Sequence, residues 1–320
     1  MKNMLLIGTN FEGTATIYEN LFNKELSKHF NIFFYGKNHE YNIENNYMEK
    51  IIKDNFIDIV VCHHNVGIVY SGEFFNLKFP NKYMFLSDFH ENYNLLKNSN
   101  EYMKESDIKK IFAKAMCDKF LKNENIIFFP WSLDEKVYKF QNNDKKYDVC
   151  IFGSNTDFYS LRQTINNEIN DFSQKNNIKI ITGNKNKASK YDNNFLVNYD
   201  EEKKKVLKVG EEYIKTLQET KIMLFGAPEK YKYPIKKYFE CASSGCLALA
   251  DKPYLSEKLG FVDGETFVEI NENNWKEKTL YYLKNEKERE RIIQNARKNF
   301  ENKHTNTIRI NLLLKELNYD

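Results

Sequence analysis

Short, nearly continuous apolar runs, each closing on a glycine or a polar turn, recur along this chain with helical patterns between them. Met4-Leu5-Leu6-Ile7 runs into Gly8-Thr9-Asn10, and Tyr147-Asp148-Val149-Cys150-Ile151-Phe152 into Gly153-Ser154. Ile178–Ile181 ends in Thr182-Gly183-Asn184, and Ile222–Phe225 ends in Gly226. Unbroken apolarity, as opposed to alternation, means that both faces of a strand are covered. Helices must supply that cover, and strand-helix-strand repetition provides them on either side of a parallel sheet. The pattern therefore predicts an α/β protein, and its restart near residue 147 predicts two such units.

In the first half, Ile17, Leu21, Phe22, Leu26 and Phe30 mark a helix after Gly13-Thr14. Met48, Ile51, Ile52 and Phe56 mark another. Strands are expected at Ile32–Tyr35, Ile57–Cys62 and Tyr83–Leu86, a charged helix at about 106–115, and short strands near Lys119–Leu121 and Ile126–Phe129. The polar segment from Leu133 to Lys146 reads as a linker. The expected division is 1–140, 141–303, and a terminal amphipathic helix over 304–320 carrying Ile308, Leu312, Leu313 and Leu317.

Several classes are excluded or disfavoured. The net charge of +3 on 320 residues, with no basic cluster, argues against a nucleic-acid partner. No apolar run approaches the ~18 residues of a spanning helix, which leaves only peripheral membrane contact open. Met4–Ile7 is too short for a signal-peptide core. Five cysteines without a C-x-x-C pair suit a reduced, cytoplasmic protein. No two aspartates stand two apart, so a D-x-D site for a metal-bound diphosphate is absent and no metal is expected.

The densest chemistry lies in Pro234-Ile235-Lys236-Lys237-Tyr238-Phe239-Glu240, which opens a helix that Gly245 stops. Lys237 and Glu240 share one face, three residues apart. A helix start with a lysine can hold a phosphate, and a carboxylate one turn on can accept hydrogen bonds from sugar hydroxyls. An ordinary exposed Lys–Glu pair is the alternative. Gly226 stands just before this helix in Phe225-Gly226-Ala227-Pro228. Arg162 and Lys232 are further candidates for neutralising phosphate. At strand ends in the first half, His63 and His64 follow Cys62, and Asp88 follows Ser87. These are candidates for a general base, with strand-end capping as the alternative. Thr9, Asn10 and Gly13 form a polar strand-to-helix loop that is not a dinucleotide fingerprint.

Lys237-Tyr238-Phe239-Glu240 through Asp251, then Gly260-Phe261 and Asp263-Gly264-Glu265-Thr266-Phe267-Val268, is similar to group 1 glycosyltransferases. It most resembles the branch related to the spore maturation protein CgeB. Tyr281-Tyr282-Leu283, His304-Thr305 with Arg309, the Tyr147–Ser154 strand and Phe129-Pro130-Trp131-Ser132-Leu133-Asp134 continue the resemblance over about 125–315. It implies a GT-B fold: two Rossmann-like domains facing across a cleft, the terminal helix crossing back. A nucleotide-sugar, UDP- or GDP-type, would be the co-substrate, with no other cofactor. By carry-over Glu240 would bind the donor ribose and Lys237 the diphosphate. Gly153 and Ser154 would lie by the phosphates, Thr182, Gly183 and Asn184 by the base, and the Gly8–Gly13 loop by the acceptor. Two positions depart from the family: Lys237 replaces an arginine, and Lys232 stands where relatives have a glutamate eight residues before Glu240. The resemblance implies a metal-independent, retaining transferase acting on a hydroxyl of a glycan, lipid-linked sugar or protein. A DNA-modifying glycosyltransferase and a catalytically degenerate binding module are the alternatives.

Overall fold

The computed structural model describes residues 1–8, 17–36, 41, 47–63, 71–87, 103–114, 124–141, 143–153, 157–183 and 211–319. It divides into two compact units, Met1–Pro130 and Trp131–Asp320.

Among the described residues, the first unit is built on six strands: β1 (Lys2–Ile7), β2 (Phe30–Tyr35), β3 (Ile59–His63), β4 (Lys82–Leu86), β5 (Ile108–Ala113) and β6 (Ile126–Phe128). Their order is β2-β1-β3-β4-β5-β6, and every pairing is parallel. Helices α1 (Ile17–Leu26), α2 (Met48–Asp54) and α3 (Ser71–Asn76) lie between strands in the chain. The central strands are buried at every position from Ile59 to His63 and from Lys82 to Leu86, as unbroken apolarity requires. Phe85, Phe112 and Phe129 meet with ring centroids 5.3–5.4 Å apart.

Two expectations are corrected here. The segment expected as a charged helix at 106–115 contains β5, which pairs with β4 and β6 through Ile111. Ile108, Ile111 and Phe112 mimic helical spacing, and no alternation betrays the strand, because exposed Lys109 and half-buried Lys110 precede the buried run Ile111–Ala113. Phe30, expected at the end of a helix, opens β2. The structure also adds α3, which sequence reasoning missed. Its carbonyl end is served by Lys82, whose ammonium donates to the carbonyls of Phe74 (2.8 Å), Phe75 (3.3 Å) and Leu77 (2.6 Å). Burial pulls the pKa of Lys82 down to about 8, and the three acceptors favour its charged form at neutral pH.

Among the described residues, the second unit holds five parallel strands in the order β11-β10-β9-β7-β8. They are β7 (Tyr147–Phe152), β8 (Ile180–Gly183), β9 (Thr220–Leu224), β10 (Leu247–Ala250) and β11 (Val268–Glu269). Seven helices accompany them among the described residues: α4 (Ser160–Asn176), α5 (Glu211–Gln218), α6 (Lys236–Ser244), α7 (Ser256–Leu259), α8 (Trp275–Lys284), α9 (Glu286–Lys303) and α10 (Asn306–Glu316). Val149, Ile165, Ile222, Leu249, Trp275 and Ile292 belong to one buried cluster. Gly245 ends α6 at φ +74°, and a Cβ there would come within 2.3 Å of the Phe140 ring. Only glycine satisfies both conditions.

The segment read as a linker is packed into this unit. Leu133 donates its N–H to the His304 carbonyl (3.1 Å) and accepts from Asn306 N–H (2.9 Å). Ser132 donates to Asn306 Oδ1 (2.8 Å), and Asp134 Oδ1 accepts from the N–H groups of Lys136 and Val137. The division accordingly falls between Pro130 and Trp131, ahead of the expected boundary at 140, and α10 belongs to the second unit.

Candidate functional site

The carboxyl end of β7 gathers the chemistry. Gly153 follows the strand at φ +118°, a conformation that L side chains rarely adopt. A Cβ at this position would lie 2.9 Å from Arg162 Nη1 and 3.2 Å from Lys237 Cε. Two cations, one from α4 and one from α6, thus converge over a glycine. Arg162 is 2% exposed; its Nη2 donates to the Gly226 carbonyl at 2.9 Å, and its guanidinium carbon lies 3.9 Å from the Tyr159 ring centroid. Lys237 is partly buried, and its ammonium has no hydrogen-bond or ion-pair partner among the described residues. Burial pulls its pKa down, while Glu240 raises it and Arg162 lowers it.

The start of α6 adds backbone donors. Its N-cap, Ile235, has no side chain able to cap, and none does. Helix geometry aims the first N–H groups of α6 out of its end, and the helix dipole favours an anion there. One turn into α6, Glu240 is 2% exposed. Its Oε2 accepts from the Tyr213 hydroxyl at 2.7 Å. Asp251, just past β10, accepts from the Ala227 N–H at 2.7 Å, and Tyr238 donates to the Asp251 carbonyl at 2.6 Å. These bonds fix the Gly226–Pro228 turn against α6. Burial raises the pKa of the Asp251 carboxyl.

The structure therefore brings together Gly153, Arg162, Gly226, Lys237 and Glu240. Thr182 and Gly183 close β8, where Phe152 pairs with Gly183, so they flank the same strand ends. Lys232 is exposed at φ +45°, and its charge acts on Asp251. His63 is 4% exposed and stacks on Phe85 with centroids 4.9 Å apart, as a packed member of the first sheet. Thr9, Asn10, Gly13, His64, Asp88, Ser154 and Asn184 lie outside the described residues. Tyr213, Tyr159 and the Asp251–Tyr238 pair were not singled out from the sequence. Asp251 stood in the resembling block without a role, and Tyr213 sits 27 positions from its partner.

The terminal His304-Thr305 and Arg309 form a structural lock. His304 Nε2 donates to the Leu259 carbonyl (2.8 Å), and its Nδ1 accepts from Arg309 Nη2 (3.3 Å). This neutral tautomer is enforced by burial, which lowers the imidazole pKa to about 3. Thr305 caps α10 by accepting from the Ile308 N–H.

Among the described residues no group of three or more His, Cys, Asp or Glu could hold a metal ion, and no helix is long and apolar enough to cross a membrane. A groove of about 750 Å³ in the second unit is lined by Lys136, Lys139, Lys146, Lys215, Gln218 and Glu219 among others. None of the residues converging at Gly153 lines it.

Comparison with solved structures identifies the architecture. HepE from Anabaena, in a crystal structure holding UDP and glucose, superposes with a TM-score of 0.68 at 10% identity, covering 99% of this chain and 100% of that one. Sucrose-phosphate synthase from Thermosynechococcus elongatus gives 0.64 at 9% identity, with 99% of each chain covered. A glycosyltransferase from Rickettsia africae gives 0.61 at 12%, covering 99% of this chain and 97% of that one. The fold is GT-B, shared with these solved structures. Residues 173–315 match the family described as glycosyl transferase-like, a stretch that begins in α4, includes α6 and ends within α10. A search of curated proteins finds no match.

Proposed function

We propose that the chain transfers a sugar from a nucleoside-diphosphate donor, of the UDP type, to a hydroxyl of a glycan, lipid-linked sugar or protein. One observation carries this reading: Lys237, lacking any partner among the described residues, meets Arg162 over Gly153 at an uncapped helix start. Two neighbouring cations repel each other and are desolvated at a cost, and a diphosphate bound between them would relieve both penalties. The donor type is suggested by the similar fold of HepE, whose crystal structure holds UDP and glucose.

In this reading Lys237, Arg162 and the first N–H groups of α6 stabilise the charge that develops on the departing diphosphate. Glu240 accepts from the ribose hydroxyls, and Thr182 and Gly183 lie toward the base. The first unit, 1–130, takes the acceptor. Transfer proceeds with retention and without a metal, the leaving phosphate oxygen receiving the acceptor's proton as the new glycosidic bond forms. The resemblance to the CgeB-related branch supports this assignment.

A thermal-shift panel of UDP, GDP, ADP and their sugar conjugates tests the proposal. A ligand at 100 times its Kd stabilises the native state by about 2.7 kcal/mol. UDP and a UDP-sugar are expected to raise the melting temperature; a panel with no response would reject the donor site.

A further inference from the structure

We propose that Tyr213 is the positioning residue that aims Glu240 at the donor's ribose, and so sets the preference of the site for a ribonucleotide. This rests on the donor-site reading above and goes beyond it, because nothing in the resemblance assigns Tyr213 a role.

A carboxylate on a helix can rotate about its last bond, and a rotating acceptor discriminates poorly between hydroxyl and hydrogen. Glu240 is held. The Tyr213 hydroxyl reaches from α5 to its Oε2 at 2.7 Å, with both residues buried. With one oxygen fixed, the plane of the carboxylate is set. Tyr213 is itself fixed by its edge contact with Phe152, ring centroids 5.4 Å apart and planes at 77°. Phe152 is the last residue of β7 and immediately precedes Gly153, where the two cations meet. One side chain thus ties the strand end beneath the proposed diphosphate to the carboxylate proposed for the ribose. The bond has one direction only, for burial and the adjacent Glu240 push the phenol pKa well upward and keep its proton on the oxygen.

Selectivity follows from this arrangement. A site that presents a fixed, desolvated acceptor loses a charged hydrogen bond when the ligand lacks the matching hydroxyl, whereas a site with a mobile acceptor loses little. Removing the Tyr213 hydroxyl should therefore weaken the choice between sugars more than it weakens diphosphate binding.

The test is calorimetry on the full chain with UDP, GDP and ADP, each beside its 2′,3′-dideoxy form, and with inorganic pyrophosphate. Wild type is expected to prefer the tightest ribonucleotide over its dideoxy form by about tenfold or more. Tyr213→Phe should compress that preference to about threefold or less while pyrophosphate affinity stays unchanged, since Lys237 and Arg162 are untouched. Tyr213→Met, which fills the space without a hydroxyl, provides a second reading if the Phe variant melts early. In the cycle with Glu240→Gln the two losses should be non-additive. If wild type discriminates and Glu240→Gln loses that ability while both Tyr213 variants keep it in full, Tyr213 has no positioning role. If wild type binds no diphosphate, or binds one without regard to the ribose hydroxyls, the donor-site reading itself falls.

Discussion

Lys237 and Glu240 carry different halves of the proposed donor, and their substitutions should separate. Lys237→Ala is expected to weaken a nucleoside diphosphate by about tenfold to a hundredfold and the bare nucleoside hardly at all, because only the diphosphate carries charge for the ammonium to meet. Glu240→Ala should weaken both, since both carry ribose. Calorimetry with UDP and uridine reads the difference; equal losses in the Lys237 variant would place the phosphates elsewhere. Gly153→Ala is a sharper probe. It strains the backbone at φ +118° and pushes a methyl against Arg162 and Lys237. Diphosphate affinity should fall as in the Lys237 variant, although no charge has been removed.

At the scale of elements, α6 is the part of the site most legible in the sequence. Its start, its Lys237–Glu240 face and its stop at Gly245 all follow from local chemistry, and the helix runs from Lys236 to Ser244 as expected. The neighbouring contributions were less legible. Tyr213 reaches Glu240 across a fold, and no local pattern marks such a pair. β5 hid for a different reason: its paired Lys109 and Lys110 break the alternation that identifies a strand, and its apolar spacing imitates a helix. The segment Leu133–Lys146 looked like a linker because polar side chains such as Asp134 and Glu135 bond locally and to α10, an arrangement that only packing reveals. Two stability predictions belong here. Gly245→Ala should cost about 2–4 kcal/mol in urea unfolding, from a left-handed backbone and a clash with Phe140. His304 predicts a pH dependence. Its folded pKa of about 3 lies below its ordinary 6.5, so between those values the unfolded chain binds the extra proton and stability rises with pH. Going from about pH 7 to about pH 5 should remove about 2 kcal/mol through this group. A His304→Gln variant should show a flatter profile over that range; an equally steep one would assign the slope to other groups.

For the whole molecule, the two units invite separate tests. The residues proposed to bind the donor, among those described, lie entirely within Trp131–Asp320. A chain of residues 131–320 should fold and bind UDP as tightly as the full protein, yet fail to transfer sugar; a large loss of affinity would show that the first unit contributes to the donor. Turnover of the full chain should survive EDTA, as the lack of a D-x-D pair suggests. Activity removed by chelation and restored by Mn²⁺ would overturn the metal-free mechanism. The α/β class and the two-unit plan were legible because most of the strands, β5 excepted, carry short, nearly continuous apolar runs. The acceptor side was not, since its candidate residues His64 and Asp88 carry no spacing that fixes a role.

The chain has 43 lysines and only five arginines, all five in the second unit. Each of the five makes a contact suited to a planar, many-armed cation. Arg162, Arg289 and Arg309 are buried and donate to main-chain carbonyls. Arg291 grips Glu288 with two nitrogens, and Arg297 lies over the Phe140 ring at 4.7 Å. A lysine offers a point charge on a flexible stem and cannot reproduce a fork or a stacked plane. If nucleotide composition has pressed this sequence toward lysine wherever lysine would serve, its arginines are the sites where that pressure met a geometric veto. Such a genome would have marked its own irreplaceable cations, and a scan of Arg→Lys changes would read those marks directly.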